Sequence, residues 1–297
     1  MIVGAVPRLR QIVREVWRPL TILFVWDVAV TVFHFAYIPI KEPPLPLALF
    51  GTALALFLGF RTNAAYARWW EARTLWGAIV NASRSLARLS VSLSRAGGAD
   101  VEWLRDKVVI RQIAFAHALR CQLRGQPTQD ETVRVLGAEA EGLTGRRNPA
   151  NALLEEISAC FADALKVRQI APVQQTFAER TLTDIANAQG GLERIRNTPM
   201  PMGFRFLPML FARIFCVLLP ITMVEQLGLA TPVGSTLIGL VFLAALSIGE
   251  DLTDPFSNSV HDVPLSAITR TIEIDLLQAI GREAPEALGP DEHGVLW

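Results

Sequence analysis

The segment at residues 45–77, LPLALFGTALALFLGFRTNAAYARWWEARTLWG, constrains the fold more than any other part of this chain. Its first part, residues 45–60, is apolar and uncharged, whereas residues 61–77 contain three arginines, one glutamate and three tryptophans. Tryptophans concentrate at the membrane–water interface and arginines on its cytoplasmic side, so this order is typical of a helix leaving a bilayer. No proline or glycine pair interrupts the junction, which predicts one continuous helix that begins in lipid and continues into a cytosolic body.

The composition also indicates a protein that lies partly inside a membrane. Hydrophobic residues make up 51% of the 297 positions and charged residues 19%, which is too apolar for an ordinary soluble protein and too charged for complete burial in lipid. The formal net charge is zero, so nothing indicates a nucleic-acid partner. The three cysteines lack the spacing of a zinc site, and the N-terminal residues lack the pattern of a cleaved signal peptide.

Four apolar stretches, at residues 19–38, 45–60, 206–229 and 232–248, predict four membrane spans in two hairpins. A span needs about 20 apolar residues, so the second and fourth stretches must use a neighbouring polar turn, or burial in a bundle, to cross. Arginines follow the second stretch and also precede the first, and the positive-inside rule therefore places both chain ends in the cytoplasm. The arginines before the first stretch are Arg8, Arg10, Arg14 and Arg18.

The segment between the second and third spans is too long for a loop, and its apolar residues recur every three or four positions. Prolines at 149 and 172 have the context of first residues of helices, and no segment shows a β-pattern. The sequence thus predicts an all-α fold with four parts: an N-terminal segment and first hairpin (1–60), a helical cytosolic insert (61–200), a second hairpin (201–250), and an acidic turn, cytosolic helix and polar tail (251–297).

Charged residues at two places suggest a function. Asp27 lies inside the first span, where it is either a functional group or the buried partner of an arginine, such as Arg213 in the third span, and we favour the ion pair. The sequence GEDLTDPFSNSVHD after the fourth span holds four carboxylates near one turn: Glu250, Asp251, Asp254 and Asp262. Such carboxylates bind calcium or magnesium, or they form helix caps and salt bridges to nearby arginines, which the spacing favours. No catalytic motif is recognisable, and we expect no enzyme.

Two motifs, GFRTNAAYARWWEARTLWG and later DPFSNSVHDVPL, resemble those of the bestrophins in the form found in bacteria. The resemblance covers nearly the whole chain and implies a homopentameric, all-helical ion channel in the inner (plasma) membrane. Each subunit would contribute four transmembrane helices and a helical cytosolic domain. In this family the second span lines a narrow hydrophobic neck, and another constriction lies at the cytosolic end of the pore.

The resemblance implies which residues form the pore. Thr52, Leu56 and Phe60 match the neck, and their spacing of four places them on one face of a helix. Thr52 departs from the family, in which a large apolar residue is usual at that position. Val173 follows a proline at a helix start and matches the cytosolic aperture.

The acidic turn resembles the calcium clasp of animal bestrophins, but Ser259 stands where those proteins have an acid. We therefore expect no required cofactor, with calcium or another divalent cation as the alternative. The expected partners are the lipid bilayer, further copies of the chain and small monovalent ions, with chloride-type anions favoured over cations on family grounds. Two other classes stay open: a secondary carrier, which would show internal repeats and broken helices, and an intramembrane metal-dependent transferase, which would need a second acidic motif.

Overall fold

The computed structural model describes residue 1, residues 9–37, residues 39–40 and residues 46–297, with the side chains of residues 9–15 excluded. Several predictions therefore lie outside the described residues. These are Arg8, the side chains of Arg10 and Arg14, the end of the first span at Ile38, and most of the loop between the first two spans.

The described part of the chain is 81% helix and contains no strand, which confirms the predicted all-α fold. Its α-helices are α1 (Leu9–Ala36), α2 (Leu47–Gly97), α3 (Glu102–Arg124), α4 (Gln129–Leu136), α5 (Pro149–Lys166), α6 (Pro172–Asn197), α7 (Met202–Leu227), α8 (Thr231–Asp251) and α9 (Leu265–Ala279). Short 3₁₀ turns lie at Gly98–Val101, Gly137–Leu143 and Gly228–Ala230.

Helix α2 is a single rod of 51 residues, as the opening segment predicts. At 1.5 Å per residue it is about 75 Å long, more than twice the thickness of the hydrocarbon core of a bilayer. It ends at Gly97, before Gly98 with φ of +67°, a left-handed conformation that glycine adopts without steric cost. The rod carries no charged residue before Arg61, and charged residues recur from there towards its end.

Three stretches of described helix are long and apolar enough to cross a membrane: Val16–Ala36, Leu47–Arg124 and Met202–Asp251. The last has the highest mean hydropathy, 2.1, and holds both α7 and α8, which meet at the turn Gly228–Ala230. The predicted third and fourth spans therefore both fall within this stretch.

The chain forms two compact units, to both of which α2 contributes residues. The apolar unit comprises Gly4–Trp69 and Pro199–Asp254. Its core joins Leu54 and Leu58 of α2 to Phe215 of α7 and to α8. Helix α1 packs closely on α8, where Gly239 leaves no room for a side chain: a Cβ there would lie 2.2 Å from Leu23 of α1.

The polar unit comprises Met1–Val3, Trp70–Thr198 and Pro255–Trp297. Helix α3 lies at its centre, packed against α4, α5, α6 and α9. Helix α5 begins with Pro149 in its first turn and Asn148 as its N-cap, whose side chain accepts a hydrogen bond from the Asn151 amide at 3.0 Å. Helix α6 likewise begins at Pro172, so both helix starts predicted from prolines are confirmed.

Candidate pore and acidic-turn sites

The three predicted neck residues lie on a face of α2 that the subunit's own core does not use. Leu56 and Phe60 are 58% and 57% exposed, and Thr52 is exposed as well. Leu54 and Leu58, two positions away on the same helix, are 2% and 5% exposed and belong to the apolar core. The apolar residues of this span thus divide into a packed face and a face that lies open in the single subunit.

The open face changes character along its length. The Thr52 hydroxyl donates a hydrogen bond to the Ala48 carbonyl at 2.8 Å, so its polar group is satisfied within the helix. Leu56 and Phe60 follow with purely apolar surface, and the next exposed residue on this face is Asn63. The sequence analysis did not name Asn63, although its position three residues after Phe60 already places it on the same face of a helix.

Val173 projects from the start of α6. Its side chain is 59% exposed, and Phe177, one turn further along, is 54% exposed. The helix start is fixed by Pro172 and by the Gln174 side chain, which accepts a hydrogen bond from the Ala171 amide at 2.7 Å. The exposed Val173 side chain is thus held at a well-defined helix start. Phe177 is a second exposed residue on the same face, which the sequence analysis did not name.

Glu250, at the end of α8, is held by arginines of its own unit. Its carboxylate lies 3.1 Å from the guanidinium of Arg205 and 3.7 Å from that of Arg61. Arg61 is almost completely buried, directly after Phe60 on α2. The salt bridge between the acidic turn and an arginine that follows the second span is therefore present.

Asp262 is buried and accepts several hydrogen bonds from its own loop. Its carboxylate lies 2.6 Å from the Ser259 hydroxyl, 3.1 Å from the Ser259 amide nitrogen and 3.1 Å from the Ser257 hydroxyl. Asp251 and Asp254 are half-buried and, like Glu250, belong to the apolar unit, whereas Asp262 belongs to the polar unit. Among the residues that the structure describes, no three or more His, Cys, Asp and Glu side chains are grouped to hold a metal ion.

Asp27 is fully buried, and its predicted ion pair with Arg213 is wrong. One carboxylate oxygen of Asp27 accepts a hydrogen bond at 2.9 Å from the Thr236 hydroxyl on α8. Both Asp27 and Arg213 are described, and no ion pair joins them. The close packing of α1 on α8, which Gly239 permits, brings the Asp27 carboxylate within hydrogen-bonding distance of Thr236.

Sequence reasoning also missed a buried ionic network in the polar unit. Glu273 of α9 lies 2.7 Å from Arg134 of α4 and 3.0 Å from His117 of α3, and Arg134 also pairs with Glu131 at 2.9 Å. Burial by itself would raise the pKa of Glu273, but the hydrogen bonds from His117 and Arg134 lower it to about 2. Glu273 is 156 positions from His117 and 139 from Arg134, so no local sequence pattern predicts these contacts.

The family described as Bacterial/Fungal Bestrophin protein has a model that matches residues 8–278. The chain belongs to this bestrophin family. The match confirms the resemblance found in the two motifs. Together with the three long apolar stretches, it indicates that this bestrophin is a membrane protein.

Relatives and solved structures agree with this assignment. The "Voltage-dependent anion channel-forming protein YneE" of Salmonella typhi is 35% identical over 287 residues, which cover 95% of this bestrophin and 92% of the relative. The protein of the same name from Escherichia coli strain K12 is 37% identical over 262 residues, which cover 87% of this bestrophin and 84% of the relative. A bacterial bestrophin homologue from Klebsiella pneumoniae superposes with a TM-score of 0.84 at 28% identity, covering 90% of this chain and 99% of the other.

Proposed function

We propose that this bestrophin is a homopentameric channel, and not an enzyme, that conducts small monovalent ions through a hydrophobic neck and a cytosolic aperture. Chloride-type anions are favoured over cations, because the similar proteins of Salmonella typhi and Escherichia coli are named as anion channel-forming. The observation that carries the proposal is the open apolar face of α2, where Leu56 and Phe60 are exposed while Leu54 and Leu58 are packed.

The proposed topology has four membrane-spanning helices per subunit: α1, the first part of α2, α7 and α8. Both chain ends lie on the cytoplasmic side of the inner membrane, as the predicted arrangement of arginines favours. One pore-lining helix cannot enclose a path for ions, so several copies must surround the axis with cyclic symmetry. The resemblance to bestrophins implies five copies.

The neck then consists of apolar rings, one from each of Leu56 and Phe60. A narrow ring of apolar side chains can lose its water, which makes a barrier to ions without any charged gate. The hydroxyl of Thr52 makes the outer end of the neck wider and wetter than a large apolar residue would. Val173 forms a separate ring, the aperture in the cytosolic body.

We further propose that conduction needs no bound calcium. A calcium ion takes about six to eight oxygen ligands, supplied mainly by carboxylates and carbonyls. Here the Asp262 carboxylate is already hydrogen-bonded by Ser257 and Ser259, and the Glu250 carboxylate by Arg205. Two of the four carboxylates are thus already bonded to protein groups, and we expect a calcium chelator to leave the currents unchanged.

The mass of the assembly tests the pore model. We expect the protein, purified in a mild detergent, to have a protein mass close to five times the 32.7 kDa of one chain. Light scattering that subtracts the detergent, or native mass spectrometry, measures this mass directly. A stable monomer or dimer that still carries current would contradict the proposed architecture.

A further inference from the structure

A pocket of about 840 Å³ lies within the apolar unit, between α1, α7 and α8. This volume falls in the range of about 300–1,000 Å³ that is typical of small-molecule sites. Its walls are largely apolar and include Ile22, Leu23 and Trp26 of α1, Val217 of α7 and Leu243 of α8. The indole N–H of Trp26 donates a hydrogen bond to the Val217 carbonyl at 3.0 Å. This donor is therefore already used, and Trp26 contributes only apolar ring surface to the pocket.

The lining of this pocket also includes two charged groups, Arg213 and Glu250. Glu250 is already engaged by the guanidinium groups of Arg205 and Arg61. Arg213 is exposed and, within the part of the chain that the structure describes, takes part in no ion pair or hydrogen bond. The pocket therefore combines apolar walls with one guanidinium group whose donors are all available.

Arg213 has no negative partner within the part of its own subunit that the structure describes. It lies within Met202–Asp251, the most apolar of the three stretches that could cross a membrane. A charged residue inside a span is costly and nearly always faces a cavity or pairs with an opposite charge. Asp27, the acid that the sequence offered as its partner, hydrogen-bonds to Thr236 instead.

We propose that this pocket binds an anionic phospholipid. The phosphate accepts hydrogen bonds from Arg213, since a guanidinium group matches phosphate oxygens with two parallel N–H donors. An acyl chain lies against the apolar walls formed by α1, α7 and α8. This inference goes beyond the proposed channel function and requires that the apolar unit lies in a bilayer with this pocket facing lipid.

Lipid titration of the purified protein, followed by native mass spectrometry, tests the proposal. The probes are dioleoylphosphatidylglycerol and dioleoylphosphatidylcholine, which have the same acyl chains and differ in net charge. We expect the wild-type protein to bind the anionic lipid about tenfold more tightly per chain, and Arg213→Gln to remove this preference. Binding is counted per chain, so its outcome is independent of whether the assembly contains five copies.

Two further variants make the result specific. Arg18→Gln removes another exposed arginine, one that lies over the Trp17 ring and outside the pocket lining, and should keep the preference. Leu243→Trp should fill the pocket and weaken the binding of both lipids. If Arg18→Gln and Arg213→Gln lost the preference for the anionic lipid equally, the preference would come from general surface charge, and the proposal would be overturned. A change of oligomeric state in Arg213→Gln, without a change in lipid preference, would assign the pocket to a contact between copies and overturn it as well.

Discussion

Replacement of Leu56 or Phe60 by alanine is expected to raise single-channel conductance by about twofold or more, with assembly intact. Both side chains are more than half exposed in the subunit, so their truncation removes little packing from its core. In the proposed pore they would form apolar rings that exclude water, and a smaller side chain would both widen and wet the constriction. Single-channel recording in planar bilayers measures the change.

The same helix supplies a matched control. Leu54→Ala makes the same substitution on the packed face of α2, where Leu54 is 2% exposed. Leu54→Ala should lower the free energy of unfolding by about 2–5 kcal/mol and reduce the yield of purified protein, with no gain in conductance. The neck assignment fails if the Leu56 and Phe60 variants instead lose assembly while their surviving channels carry unchanged current.

Loss of Glu273 is expected to destabilise the polar unit by about 1–3 kcal/mol, because it removes the buried carboxylate that hydrogen-bonds to Arg134 and His117. Thermal unfolding of Glu273→Ala in detergent measures this cost. The control is Asp275→Ala on the same helix, which removes an exposed pair with Arg84 and should cost less than about 1 kcal/mol. Equal, small effects of the two substitutions would show that the buried network contributes little.

The same carboxylate makes stability depend on pH. The pKa of Glu273 lies near 2 in the folded protein, compared with an ordinary value of 4.5. A lowered folded-state pKa stabilises the protein fully above the ordinary value, and this contribution is lost as the pH falls from about 4.5 towards 2. The wild-type protein should therefore lose more stability over this interval than Glu273→Gln, whose neutral side chain cannot titrate.

The sequence predicts the helices of this protein better than the contacts between them. The rod of α2 follows from an apolar run that meets arginines and tryptophans without a helix breaker, and the starts of α5 and α6 follow from Pro149 and Pro172. These features are local, so they can be recognised in a single chain. The four-residue spacing similarly places the neck residues on one face, but only the structure distinguishes this open face from the packed one.

Contacts between distant residues were not predictable. Asp27 could pair with any nearby polar group, and its actual partner, Thr236, depends on how closely α1 approaches α8 at Gly239. His117 and Glu273 are separated by 156 positions, and neither belongs to a recognisable motif. Such pairs are set by helix packing, which sequence periodicity does not determine.

The reversal potential across a potassium chloride gradient tests the central claim most directly. The purified protein is reconstituted into a planar bilayer, and current is recorded with a calcium chelator on both sides. An anion channel that needs no calcium should carry current that reverses near the chloride equilibrium potential. Current that reverses near the potassium equilibrium potential would contradict the assignment of anion selectivity, and current that appears only after calcium is restored would contradict the proposal that the acidic turn needs no calcium.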